Sequence, residues 1–480
     1  MPATGRRRIG PVDTIWLNMD RANNLMVIVS VVFLDSVPDW DAVVDIIRAR
    51  ILERYPVFHQ RRSHVRGLLG EPYWEDDPAF ELDRHVVRVA LPEPGDDGEL
   101  QRYIEQWLHV PLDPEHPLWE VHLVEGHGDG AALVLRAHHA LADGIALTRV
   151  LLSMTEDEEG EVDEDGGLVD VTVDAADEHG RSLLGAVLTE GLDLAKRGVL
   201  LSTRLASPAG LWEAAGLGVR TTRVVGDLLF AHNPDNPLGG SPGLRKRVVW
   251  TQPIELDGLK RIGRLAGATL NDVLLGALSG ALHTYQLGHG SEPVDLVTMV
   301  PVNVRPLDEP LPRELGNRFA LVFFHFPSAL ASPLARLAET KKRMDWLKSS
   351  PEAVLTYGLI SAIGRTSRDI ERHLVDFFAN KAIGVTTNVA GPRKVRYLAG
   401  VPVTGVLGWV PGSGHHTVGF CVFTYAGHVR VGLLADEGSV SEPETLLEAF
   451  EDEVRQLIRM GTAAHERRKG GTRANRQRKA

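Results

Sequence analysis

The chain has 480 residues, of which 43% are hydrophobic, and its formal net charge is -12. This length and composition are typical of a globular protein with two or three domains, and the acidic balance argues against nucleic acid as a partner. One cysteine, Cys421, excludes an internal disulfide and indicates a reducing compartment. We expect neither a signal peptide nor a membrane span, and therefore a cytoplasmic protein, because no apolar run is long enough.

The first part of the chain alternates predicted strands and helices. Apolar runs predict buried strands, and apolar residues at helical spacing predict helices. Strands are expected at 25–34, around 86–92, in a segment led by Trp119, and at 131–135, and helices at 41–54 and 99–108. This order predicts an α/β (α+β) fold with a mixed sheet and helices on its face.

The sequence HHALADG, residues 138–144, stands between the last of these strands and a predicted buried helix. An imidazole at a strand end can accept a proton near neutral pH, which makes His138 and His139 candidate general bases. Asp143 can cap the amides at the start of the helix. Gly144 would allow a positive φ or a close backbone approach. A histidine pair with a purely structural role is the alternative.

A change in composition follows the histidine segment. Residues 156–170 hold nine acidic residues and no basic one, which predicts a solvated loop. Amphipathic helices are expected at 182–230, and a turn-rich connector at 232–243. We therefore predict an N-terminal domain over 1–180, a helical linker over 181–243 and a C-terminal domain over 244–460.

The second part repeats the mixed pattern. Strands are expected at 247–256, 295–304, 319–327, 384–392, 418–427 and 428–436. Thr269 and Asp272 form a predicted capping box at the start of a helix. A last helix is expected at 442–460, followed by a basic, disordered tail over 461–480.

Several short segments together resemble one family. They are HHALADG, Pro117-Leu118-Trp119, Asn271-Asp272 in ATLNDVLLGAL, VPVNVRP, ELGNRFA and TTNVAGP. In this order and spacing they are similar to the bacterial wax ester synthase/diacylglycerol acyltransferase family, from about residue 11 to 460. The resemblance implies a two-domain fold similar to chloramphenicol acetyltransferase and the condensation domains, with the histidine motif in a channel between the two halves.

The resemblance also implies a chemistry. His139 matches the general base, which would take the hydroxyl proton of a lipidic alcohol as its oxygen attacks the thioester of acyl-CoA. Acyl-CoA is then a substrate, and no cofactor is implied. No covalent acyl-enzyme is needed, which agrees with the apolar neighbours of Cys421. His138 would shape the turn, and for Asp143 a structural salt bridge or backbone cap is expected.

Other polar candidates have two interpretations each. Asn271 begins a helix and could donate to an oxyanion or a phosphate, or simply begin the helix. Asn317 and Asn388 could approach the channel or make turns. Trp119 binds substrate or belongs to the core. His415 and His416 form a second pair, but without HExxH or paired cysteines no metal site is predicted.

Two departures from the family pattern concern the acceptor alcohol. Residues 23–27 read NNLMV where the family usually has a Pro-Met-His sequence, and the acidic run after the histidine helix is longer. We expect diacylglycerol ahead of a long-chain alcohol as acceptor. The alternatives are a condensation-type acyltransferase with a carrier-bound donor, a catalytically silent lipid-binding protein, and a hydrolase. The predicted helices and the basic tail suggest attachment to the inner face of the plasma membrane or to lipid droplets.

Overall fold

The computed structural model describes residues 6–63, 72–162, 233–303, 310–348, 350 and 352–477. Most of the predicted helical linker and of the acidic run therefore lies outside the described residues. Within them the predicted α/β architecture is confirmed.

Strands and α-helices are interspersed along the described chain. The strands are β1 (Arg7–Arg8), β2 (Val27–Leu34), β3 (Gln60–Arg62), β4 (Tyr73–Asp76), β5 (Val86–Ala90), β6 (Trp119–His127), β7 (Gly130–His138), β8 (Lys246–Trp250), β9 (Ile254–Glu255), β10 (Leu296–Asn303), β11 (Phe319–Phe326), β12 (Gly384–Ala390), β13 (Tyr397–Leu398), β14 (Val401–Trp409), β15 (Val418–Tyr425) and β16 (His428–Asp436). The helices are α1 (Pro11–Met19), α2 (Trp40–Ile47), α3 (Asp97–Trp107), α4 (Gly144–Ser153), α5 (Leu256–Ala266), α6 (Leu270–Gly288), α7 (Pro333–Lys348), α8 (Glu352–Ile363), α9 (Arg368–Ala379) and α10 (Pro443–Gln477).

The first sheet has the strand order β13-β14-β2-β7-β6-β5. Its centre is the antiparallel pair β2 and β7, in which Val27 lies opposite His138. Every residue of β7 is buried, as are all residues of β2 after Val27. These apolar strands are covered on both faces, which is why they read as continuous apolar runs rather than alternating ones. The histidine motif thus begins at the end of a central strand.

The second sheet has the order β11-β10-β12-β15-β16-β8, with β9 also paired to β16. The predicted capping box is confirmed, because the Thr269 side chain accepts from the Asp272 backbone N–H and the Asp272 carboxylate accepts from that of Thr269. Helix α6 packs between α7 and α10. The buried Arg336 of α7 pairs with Glu453 of α10 at 2.7 Å, which joins these two helices.

The two sheets do not coincide with the two halves of the sequence. Strands β13 and β14 come from the second half, yet β14 pairs antiparallel with β2 in the first sheet. Trp409 at the end of β14 lies 5.8 Å from Trp250 of β8, so the sheets also touch through side chains. Strand partners so far apart in sequence cannot be predicted from local patterns, which is why the division at 180 and 244 missed this crossing.

Two of the differences between the predicted elements and the structure have a physical explanation. The single strand expected at 247–256 is two strands, β8 and β9, because Pro253 between them cannot donate a ladder hydrogen bond. The disordered tail expected from residue 461 is instead helical as far as Gln477. This segment has no proline and is rich in Ala and Arg, which favour helix.

Among the described residues, no single helix is long and apolar enough to cross a membrane. Helices α5 and α6 together have the length and composition of a membrane span, by these two measures only, and they are bent by 98° at the break between them.

Candidate active site

The histidine motif forms the predicted strand, turn and helix. Strand β7 ends at His138, and α4 begins at Gly144 with Asp143 as its N-cap, whose Oδ1 accepts from the Ala146 N–H at 2.9 Å. The expectation that Gly144 has a positive φ or allows a close backbone approach is wrong. Its φ is not positive, and a Cβ built there would meet no described atom within 4 Å. Gly144 therefore borders open space instead of a close backbone approach.

The first histidine is held by the structure around it. His138 Nδ1 accepts from the Ala140 backbone N–H at 3.0 Å. Its Nε2 therefore carries the proton and faces Asp20 Oδ2 at 3.1 Å. The other oxygen of Asp20 accepts from the Met26 N–H at 2.7 Å, which ties the end of α1 to the start of β2. Both ring nitrogens of His138 therefore have hydrogen-bond partners within the protein.

The second histidine lies where the two halves of the chain meet. His139 is 7% exposed, and its Nδ1 lies 2.9 Å from Oδ1 of Asn317, a residue 178 positions away in the sequence. Asn317 Nδ2 donates to the His139 carbonyl at 2.7 Å and to Asp13 Oδ1 at 2.8 Å. No described residue hydrogen-bonds to the other ring nitrogen, Nε2.

Helix α1 supplies two groups that sequence reasoning missed. Asp13 accepts from both the backbone and the side-chain N–H groups of Asn317. Trp16, three residues later on the same face, stacks on the His139 ring with centroids 3.9 Å apart and planes 13° from parallel. Phe319 approaches the same ring at 6.0 Å. Two features of the sequence could have indicated α1. Pro11 is a residue favoured at a helix start, and the apolar residues that follow have helical spacing, but over a segment too short to distinguish it from others.

Burial changes the protonation of the two central groups. It lowers the pKa of His139 to about 4, because the charged imidazolium is disfavoured away from water. Burial also raises the pKa of Asp13 to about 6, against the lowering effect of its hydrogen bonds from Asn317. At neutral pH His139 is therefore an unprotonated imidazole, which is the form a general base requires.

Asp143 connects the motif to the second half of the chain. Besides capping α4, it accepts from the Arg318 backbone N–H at 3.1 Å through Oδ2. Asp143 is 6% exposed. The expected backbone cap is confirmed, and the residue following Asn317 is also held against the histidine turn.

Of the further candidates, Asn271 and Asn388 hydrogen-bond to each other, whereas Trp119 lies in the core of the first sheet. Asn388 Nδ2 donates to Asn271 Oδ1 at 2.9 Å, and Asn388 Oδ1 is buried with no hydrogen-bond partner among the described residues. Trp119 is fully buried, its indole N–H donates to the Phe58 carbonyl, and it stacks on His85. Its ring belongs to the core of the first sheet, as one of the two interpretations had it.

The second histidine pair and the cysteine have structural contacts. His416 Nδ1 accepts from the Ser413 N–H, and its Nε2 faces the Ala379 carbonyl at 2.9 Å. In the described part of the chain no group of three or more His, Cys, Asp or Glu side chains could hold a metal ion. Burial raises the pKa of Cys421 to about 12, which keeps it a thiol.

Two domain models of one protein family match most of the chain. The wax ester synthase/diacylglycerol acyltransferase catalytic domain matches residues 9–274, and the C-terminal domain of that family matches 315–458. A putative diacylglycerol O-acyltransferase of Mycobacterium tuberculosis is 29% identical over 479 residues, with 94% of this chain and 97% of the relative covered. The O-acyltransferase WSD of Acinetobacter baylyi is 26% identical, with 93% and 96% covered.

Solved structures share the fold. The wax ester synthase/diacylglycerol acyltransferase from Marinobacter aquaeolei VT8 aligns with a TM-score of 0.66 at 21% identity, covering 95% of this chain and 99% of that one. The first condensation domain of the calcium-dependent antibiotic synthetase aligns with a TM-score of 0.58 at 16% identity, covering 95% and 97%. The expected fold, similar to the condensation domains, is confirmed.

Proposed function

The chain belongs to the wax ester synthase/diacylglycerol acyltransferase family, and we propose that it transfers an acyl group from acyl-CoA to a lipidic alcohol, with diacylglycerol preferred over a long-chain fatty alcohol. The observation that carries this proposal is the environment of His139. It is a neutral imidazole with Nδ1 engaged by Asn317 and Nε2 without a partner among the described residues.

The proposed reaction uses His139 Nε2 as the general base. Nε2 takes the hydroxyl proton of the alcohol as the alcohol oxygen forms a bond to the thioester carbonyl carbon. The tetrahedral intermediate then breaks its C–S bond, and the CoA thiolate leaves and recovers the proton from Nε2. The products are an ester and CoA, and the imidazole returns to its starting form. Acyl-CoA acts as a substrate, and no cofactor takes part.

Substrate binding is proposed for the pair Asn271 and Asn388. The buried, unpartnered Oδ1 of Asn388 can accept a hydrogen bond from a hydroxyl group, and leaving such an atom unsatisfied is costly. The open space beside Gly144 is proposed to admit substrate at the start of α4. Asn317 is not proposed for this role, because both of its amide hydrogens are already used by Asp13 and His139.

The first experiment supplies palmitoyl-CoA labelled in its acyl chain to the full chain, with dioleoylglycerol or hexadecanol in separate reactions. We expect ester and free CoA in equal amounts in each reaction, and more of both products with dioleoylglycerol than with hexadecanol. Free CoA without ester would indicate hydrolysis. No reaction with either alcohol would contradict an acyl-CoA donor, and the same assay with an acyl group on a carrier protein would then test the condensation-type alternative.

A further inference from the structure

The side-chain amide of Asn317 has only one orientation that satisfies its neighbours. Its Nδ2 lies within 2.8 Å of both Asp13 Oδ1 and the His139 carbonyl oxygen, and neither the Asp13 carboxylate nor a carbonyl can donate. Rotating the amide by 180° would place Oδ1 against two acceptor oxygens. Asp13 and the His139 carbonyl therefore turn Asn317 Oδ1 towards the imidazole.

This orientation selects a tautomer. Asn317 Oδ1 can only accept, so His139 Nδ1 must carry the ring proton across the 2.9 Å contact. Nε2 is then left with a lone pair. We propose that Asp13 is a positioning residue, which fixes the Asn317 amide and through it the Nδ1–H tautomer of His139. The catalytic importance of this tautomer rests on the proposed function, in which Nε2 is the base.

Asp13 is itself placed with precision. Its Oδ1 also accepts from the Asn317 backbone N–H at 2.8 Å, so the same oxygen receives two donors from one residue. Gly10 and Gly316 make room for its second oxygen, since a Cβ at either position would lie 3.0 or 3.1 Å from Oδ2. A larger residue at either site would push the carboxylate away from Asn317.

Helix α1 also holds the plane of the imidazole. Trp16 stacks on one face of His139, which prevents the ring from rotating about its Cβ–Cγ bond without disturbing α1. Asp13 thus fixes which ring nitrogen of the imidazole carries the proton, and Trp16 fixes the orientation of the ring. A purely structural alternative is that Asp13 only anchors α1 to the second half of the chain.

The test separates these two roles with variants at position 13. In Asp13→Asn the carboxamide oxygen still accepts from Asn317, so we expect kcat to stay within about threefold of the wild type. Asp13→Ala removes the acceptor, so we expect kcat to fall by about tenfold or more while KM for palmitoyl-CoA changes by less than about threefold. Asp96→Ala, which removes the exposed cap of α3, controls for a loss of stability away from the site.

Ring ¹⁵N signals of the full chain labelled in histidine read the tautomer without any turnover. Wild type should show a protonated Nδ1 and an unprotonated Nε2 for His139, assigned by their loss in His139→Gln. Asp13→Asn should keep this pattern, and Asp13→Ala should give a mixture. A protonated Nε2 in the wild type, or an unchanged pattern in Asp13→Ala, would overturn the proposal. A wild type with the expected tautomer but no acyl transfer would contradict the proposed function alone.

Discussion

His138 and His139 are adjacent in sequence but have opposite ring protonation. His138 accepts at Nδ1 from the Ala140 backbone and faces Asp20 with Nε2, so it stabilises the turn. His139 is engaged by Asn317 at Nδ1, and its Nε2 has no described partner. One histidine of the pair is therefore structural, and the other can act as a base.

The sequence could identify the histidine motif and the candidate Asn317, but not Asp13 and Trp16, which contact them. His138, His139 and Asp143 are close together in the chain, so their spacing carries a signal. Asp13 lies 304 positions from Asn317, and the single helical turn that brings Asp13 and Trp16 to the ring resembles any other amphipathic turn. Only the packing of α1 against the second half brings them together.

The buried carboxylate of Asp13 should cost stability above its pKa. Its pKa is about 6 in the folded protein, against 3.8 for an ordinary Asp, so the folded state binds more protons than the unfolded state between these values. The cost is absent below pH 3.8 and complete above pH 6. We expect Asp13→Asn to raise the free energy of unfolding by about 1–2 kcal/mol at pH 8.

Urea unfolding of both proteins at pH 8 and at pH 4.5 measures this difference. The gain of the variant should shrink at pH 4.5, where the Asp13 of the wild type is mostly neutral. The lowered pKa of His139 acts in the opposite direction with pH, but it is present in both proteins and largely cancels in the comparison. A gain of equal size at both pH values would contradict the ionised, buried carboxylate.

At the scale of elements, local patterns predicted much of what surrounds the site. The strand before the histidines, the helix after them and the capping box of α6 all follow from residue periodicity and cap chemistry. Helices α8 and α9 were not predicted, although they cover α1 through the cluster that includes Ile15, Met19 and Ile363. The apolar residues of α8 are spread around the helix, so no amphipathic stripe marked it.

Asp143 has two hydrogen bonds from different elements, which a simple helix cap does not have. Asp143→Ala should therefore cost about 2 kcal/mol of unfolding free energy, from the lost cap of α4 and the lost acceptor for the Arg318 N–H. Asp39→Ala is the matched control, since Asp39 caps α2 at the same 2.9 Å but with an exposed bond. It should cost about 1 kcal/mol or less. Equal losses would contradict the bridging role of Asp143.

At the scale of the whole molecule, β14 makes the two halves one structure. It leaves the second half of the chain and pairs with β2, next to the strand that carries the histidines. The two-domain α/β architecture was predicted, whereas this crossing was not, since pairing partners are set by global packing. The channel between the halves stays a prediction, and His139 lies where Trp16 of the first half and Asn317 of the second half meet.

Attachment to a lipid surface is proposed for the basic end of the chain. After residue 460 the sequence contains seven basic residues and one acidic one, Glu466. Each basic residue near an anionic surface contributes about 1 kcal/mol, so the full chain should float with anionic liposomes at least about tenfold better than a chain ending at Met460. High salt should remove the difference. Equal flotation of both chains would exclude a role for these residues.

The most direct test of the account is the rate of acyl transfer by His139→Gln and His138→Gln, compared with wild type under the assay with palmitoyl-CoA and dioleoylglycerol. We predict a loss of about a hundredfold or more in kcat for His139→Gln, as expected for a general base, and a loss of about tenfold or less for His138→Gln, accompanied by lower stability. Ester formation at an undiminished rate without His139 would contradict the assignment of the base.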